Sequence, residues 1–196
     1  DYEAEMETGE ADYLAQVRSR MEDKAANAPI AWNAEDAVVV EAGTPYAWIM
    51  WNGGAGSYSV GDEYNPNADH PGIIAHDVVV DGAGVYEVSL EFEGGNDGLT
   101  FAALAIADAE LLYPGCIINI QEIDVNGEPV KLIAAPYTSS DDGRCTRVNL
   151  INEWVNKLPD DARNLMGLSN ASPVIISKTD IVGVKTFTVR FGLIVP

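Results

Sequence analysis

From Val85 to Phe92 apolar and polar positions alternate along the chain. Tyr86, Val88, Leu90 and Phe92 fall on one side; Val85, Glu87, Ser89 and Glu91 fall on the other. That period of two is the mark of a strand with one buried face. Turn residues bracket it, Asp81-Gly-Ala-Gly84 before and Gly94-Gly-Asn-Asp-Gly98 after, where glycine and asparagine accept backbone angles other residues resist. Similar short runs predict strands over 37–41, 47–51, 73–80, 84–93, 99–107, 116–125, 130–134, 144–150, 174–177 and 186–193. Asn126-Gly127 predicts a type I′ hairpin joining 117–125 to 129–133. The pattern differs at the N-terminus. Tyr13, Leu14, Val17 and Met21 recur at helical spacing in a stretch rich in Ala, Glu, Gln and Arg, which predicts a helix ended by Pro29. Two shorter helical segments are predicted at 152–157 and 160–165. Regularly spaced strands without alternating helices predict an all-β fold, an antiparallel β-sandwich of jelly-roll-like form. The expected organisation is an N-terminal helical segment over 1–28, a sandwich over 29–196, and short helical insertions.

Charge narrows the partners. The 196 residues carry a formal charge of −20, and between Lys24 and Lys131 there is no lysine or arginine, against seventeen carboxylates and both histidines. Such a surface repels nucleic acid, phosphate esters and anionic lipid, because nothing there neutralises them. No charge-free stretch approaches the ~20 residues that cross a bilayer. The first residues, Asp1-Tyr-Glu-Ala-Glu5, have neither the basic nor the apolar region of a signal peptide, so one has been removed or never existed. The two cysteines, Cys116 and Cys145, exclude a four-thiolate zinc site. Either they are free thiols, or a bridge closes a loop of about 30 residues that constrains the unfolded chain by roughly 3–4 kcal/mol.

The acidic stretch holds an aromatic run, Tyr46-Ala-Trp48-Ile-Met-Trp51-Asn52-Gly-Gly-Ala-Gly-Ser-Tyr58, followed by Asp62-Glu63-Tyr64. Indole and phenol rings stack on the C–H faces of sugars, and carboxylates and amides accept from sugar hydroxyls. Trp48, Trp51, Tyr58 and Tyr64 are therefore the candidate platforms, with Asn52, Asp62 and Glu63 as hydroxyl acceptors. In a strand Trp48 and Trp51 point to opposite faces, so the competing reading packs one indole in the core and the other beneath the glycine loop. Those glycines either admit a flat ligand or make a plain flexible loop. Trp154, beside Val155 and Leu158, is expected in the core; Trp32 could be either. Asp62, Asn65, Asn67 and Asp69 are hard oxygen donors suited to calcium, without the spacing of the helix–loop–helix calcium motif; a solvated polar loop is the plainer reading. No other cofactor is implied. His70 and His76, which straddle Pro71-Gly72, are expected at the surface or in turns, and no hydrolase elbow, phosphate loop or dinucleotide fingerprint is present. The expectation is a recognition module rather than an enzyme.

The segments Gly82-Ala-Gly-Val-Tyr86-Glu-Val-Ser-Leu90, Tyr113-Pro-Gly115, Val125-Asn-Gly-Glu-Pro-Val130 and Arg147-Val-Asn-Leu-Ile-Asn-Glu-Trp154 resemble β-sandwich modules of cell-surface proteins and glycan-degrading complexes of gut Gram-positive bacteria. The likeness is greatest to carbohydrate-binding modules of starch-adherence proteins. It covers roughly residues 35–195, and its matching residues are framework. The resemblance implies an extracellular or cell-surface domain, part of a larger protein, that holds a neutral polysaccharide of starch or maltooligosaccharide type without cleaving it. Two alternatives stand beside it: a cohesin-like scaffold module, or a module for plant hemicellulose or β-glucan.

Overall fold

A computed structural model describes residues 9–19, 41–54, 56–58, 63–66 and 70–196. Two antiparallel sheets carry the fold. The first has the order β2-β1-β6-β10-β9, with β4 also paired to β1; the second has the order β3-β5-β11-β7-β8. These strands are β1 (Tyr46–Gly53), β2 (Gly56–Tyr58), β3 (Ile73–His76), β4 (Val78–Val79), β5 (Gly84–Asn96), β6 (Leu99–Ile106), β7 (Ile117–Val125), β8 (Glu128–Pro129), β9 (Thr138–Ser139), β10 (Thr146–Asn152) and β11 (Val184–Ile194). The six long strands β1, β5, β6, β7, β10 and β11 alternate between the sheets in chain order. The expected all-β sandwich is therefore the fold.

The faces differ as their sequences dictate. β5 turns Val88, Leu90 and Phe92 inward and leaves Glu87 and Glu91 exposed, so the second sheet is polar outside. β1 and β6 are nearly continuous apolar runs, buried on both faces. Asn126 and Gly127 both have positive φ, and Val125 pairs with Glu128, as a type I′ hairpin requires. Among the described residues, 9–19 form helix α1. Tyr13 and Val17 are buried against Ile117, the outcome of their four-residue spacing. The remainder of the expected 1–28 helix, most of the 37–41 strand and Trp32 lie outside the described residues.

Several elements depart from expectation. The run 73–80 is broken into β3 and β4, because Asp77 interrupts it to bind tyrosine hydroxyls. Residues 130–134 and 174–177 are not strands; they lie beside one another through Ile133 N–H to Ile175 O at 2.8 Å. Residues 152–157 and 160–165 are the end of β10 followed by turns and irregular chain rather than helices; Asn152 Oδ1 accepts from Trp154 N–H and Asn164 Oδ1 from Met166 N–H. The short helical insertions are instead α2 (Ala109–Leu112) and a 3₁₀ turn, Lys178–Asp180. Both cysteines are buried, and no disulfide joins them. Burial pushes the Cys116 thiol up to about 11, against the opposing pull of Arg163.

Candidate functional site

The aromatic run divides between core and surface. Trp51 faces the second sheet, its ring 4.8 Å from Phe92 and 5.1 Å from Phe187. Trp48 points to the other face and lies 5.2 Å from Tyr64. Both indoles are 0 % exposed and Tyr58 is 2 % exposed, so none of the three is a free platform. The reason is that β1 is an interior strand, flanked by β6 on one edge and by β2 and β4 on the other. Its second face is also covered, so alternation did not leave one side wet. Asn52 is exposed, but its carbonyl accepts from Thr100 Oγ1 at 2.9 Å. Gly53 and Gly54 serve packing rather than ligand access: a Cβ on Gly53 would lie 2.7 Å from Leu99 Cα and from Thr100 N.

Tyr64 and Glu63 do reach an open site. They line a cleft of about 530 Å³ together with Tyr46, Pro66, Asp108 and Arg144, a size suited to a small-molecule ligand. Tyr46, at the start of β1, stacks on Tyr64 with centroids 4.8 Å apart and planes 17° apart. Tyr64 is set from behind: its hydroxyl donates to Asp77 Oδ2 at 3.0 Å, and the Tyr58 hydroxyl donates to the same oxygen. Burial lifts the Asp77 carboxyl above its ordinary range, while the two hydroxyls and then His70 and His76 pull it back. The same burial, aided by Asp77, raises both phenols well beyond their usual value. Thus Tyr64 is oriented by a half-buried carboxylate that sequence reading missed.

The opposite wall comes from the start of α2 and the turn before β10. Asp108 has φ 54, a left-handed conformation aspartate tolerates better than most residues. Its side chain does not cap α2. It accepts from Gly43 N–H instead, and from Arg144 through Nε and Nη2, both 2.9 Å from Oδ1. Asp142 Oδ1 accepts from Arg144 N–H at 2.8 Å and from Cys145 N–H at 2.9 Å, which closes the 142–145 turn. Glu63, Asp108 and Asp142 outnumber Arg144 here, so the cleft disfavours anions while offering acceptors and one fixed guanidinium.

Asp62, Asn67 and Asp69 lie outside the described residues, and Asn65 is exposed. Among the described residues no group of three His, Cys, Asp or Glu could hold a metal ion. His70 is half-buried, its ring 4.6 Å from that of Tyr58, and His76 pairs with Glu91 at 3.4 Å. Trp154, expected in the core, is 66 % exposed. Among the described residues no helix is long and apolar enough to cross a membrane. Comparison with protein-family models, curated proteins and solved structures finds no match.

Proposed function

We propose that this domain is a non-catalytic, extracellular or cell-surface module that binds a neutral polysaccharide, with starch-type α-glucan as the ligand. The observation that supports it is the cleft in which the stacked Tyr46–Tyr64 pair faces Glu63, Asp108 and Arg144. Aromatic rings take the C–H face of a sugar, and the fixed carboxylates and guanidinium take its hydroxyls. Asp108 and Asp142 already hold the loops through Arg144 and backbone amides, a positioning role rather than that of an acid–base pair. Affinity of a single module is modest, because a linear oligosaccharide loses torsional freedom on binding; several modules on one protein raise it by effective concentration.

Burial of Trp48, Trp51 and Tyr58 favours a second reading, a scaffold module whose aromatics are framework. Retardation in native gels containing amylopectin, xyloglucan or mixed-linkage β-glucan separates the readings. The glycan reading expects retardation by amylopectin that Tyr64→Ala abolishes with the fold intact. Absence of retardation by all three polymers favours the scaffold.

A further inference from the structure

Where β10 ends, the chain turns through Glu153 and presents the Trp154 indole to solvent, 66 % exposed. Its mount is a chain of buried amides. Asn149 Nδ2 donates to the Tyr137 hydroxyl at 3.0 Å, Asn152 Nδ2 donates to Asn149 Oδ1 at 3.1 Å, and Trp154 N–H donates to Asn152 Oδ1 at 3.1 Å. Tyr137, Asn149 and Asn152 are each at most 5 % exposed. In a regular strand residues three apart point to opposite faces. The β10–β6 register shifts between Asn149 and Ile151, and that bulge brings the two asparagines to one side. Outside the ladder, Asn152 N–H donates to Pro173 O at 2.9 Å, and Glu153 pairs with Lys178 at 2.8 Å.

Buried amides destabilise a core unless every group is matched. This ladder is matched, and its last bond fixes the backbone of an aromatic residue that buries little of itself. The ladder holds the backbone from which the indole projects, so a ligand that stacks there orders only that one side chain. We propose that Trp154 is a second stacking platform for a neutral polysaccharide, separate from the cleft. The proposal rests on the glycan reading of the domain and uses none of the cleft's residues. The −20 charge of the chain disfavours anionic partners. The adjacent Glu153–Lys178 pair offers an acceptor and a donor to sugar hydroxyls. A protein partner would need roughly 800 Å² of contact on this side, and the ladder mounts one ring.

The two sites lie at opposite ends of the six-stranded sheet. Thr146 and its partner Ile106 adjoin the cleft residues Cys145 and Ala107, whereas Asn152 and its partner Phe101 adjoin the Trp154 turn. Seven residues of β10 separate them, roughly 20 Å of strand. A polymer long enough to reach both engages the second site intramolecularly; a disaccharide does not.

The test uses the full chain, Trp154→Ala, Trp154→Phe and Tyr64→Ala, in native gels with amylopectin, xyloglucan or mixed-linkage β-glucan, with thermal melts as the folding control. Trp154→Ala is expected to weaken retardation about tenfold through lost stacking and lost bivalency, with an unchanged melt, and Trp154→Phe to keep most of it. Wild type minus Trp154→Ala fluorescence should show an acrylamide-quenched indole that the retarding polymer protects. Retardation lost by Tyr64→Ala but untouched by Trp154→Ala overturns the platform and leaves the cleft reading standing. Loss by Trp154→Ala with Tyr64→Ala unaffected supports the platform and removes the cleft. A Trp154→Ala protein that retards normally but no longer self-associates in sedimentation makes the indole a protein contact, and the proposal falls. A wild-type chain retarded by none of the polymers overturns both.

Discussion

Replacing Trp51 with alanine should unfold much of the sandwich rather than blunt ligand binding. The indole is fully buried and packs on Phe92 and Phe187 of the facing sheet. Truncating a buried tryptophan costs about 3–5 kcal/mol, and each aromatic pair adds about 0.5–1.5 kcal/mol beyond burial. With two ring partners lost, the upper part of the range applies, about 4–5 kcal/mol. In a domain of this size that lowers Tm by roughly 8–20 °C. Trp51→Phe keeps the inward ring and removes an indole N–H that finds no acceptor among the described residues. It should cost about 1–2 kcal/mol, since a buried unpaired donor is itself unfavourable. Calorimetry or urea denaturation of the three proteins gives the comparison. A Trp51→Ala protein that melts within about 3 °C of wild type, yet loses polysaccharide retardation, would refute the core assignment and restore Trp51 as a platform.

Asp77 makes stability depend on pH. Its carboxyl is raised in the fold, first by burial, with Tyr58, Tyr64, His70 and His76 opposing. The fold therefore binds a proton that the unfolded chain has already released. This contribution is full below the ordinary carboxylate range and is lost as pH rises through the raised value. Urea midpoints taken from about pH 4 to about pH 7 should show that decline, and Asp77→Asn should flatten it; an unchanged slope removes Asp77 as the cause. Arg163 donates to Glu110, from Nε to Cys116 O at 2.7 Å, and its side chain is 9 % exposed. Arg163→Met should cost about 3–5 kcal/mol by leaving the Glu110 carboxylate without its cation, with the Thr146 hydroxyl still donating to it, and adding Glu110→Gln should recover part of it in denaturant melts. Gly53, at φ +138, has no room for a Cβ, whereas Gly72, at φ +77, has nothing within 4 Å. Gly72→Ala should cost about 1 kcal/mol from backbone strain alone, and Gly53→Ala clearly more; equal melting shifts would contradict the packing described.

The strands legible in the sequence were those whose two faces differ, such as Val85–Phe92, or which end in an unambiguous turn, such as Asn126-Gly127. β1 misleads because it is interior in its sheet and covered on both sides, so its tryptophans look like surface aromatics when only the strand is read. The segments 130–134 and 174–177 look like strands because they are apolar, yet they make only isolated backbone bonds, to each other and to β7 and β10, and continue as loops. Of the site, Glu63 and Tyr64 were visible as an acidic, aromatic cluster. Asp108 and Arg144 were not, since 36 positions separate them and only the meeting of β6 and β10 joins them. The Asn149–Asn152 motif was read as framework from resemblance, and its amides are buried in a hydrogen-bonded ladder; the bulge that aligns them leaves no trace in periodicity.

The strand between β5 and β7 in the second sheet is β11, formed by Val184–Ile194. During vectorial synthesis on the ribosome, both its neighbours emerge with unsatisfied edges long before it does. Each must wait, apolar on one side and open to mispairing, until β11 has left the exit tunnel. Non-local closure of this kind is slow and prone to aggregation. Closure of the second sheet thus waits for β11, and chains cut before Val184 should be insoluble rather than form a smaller working sandwich.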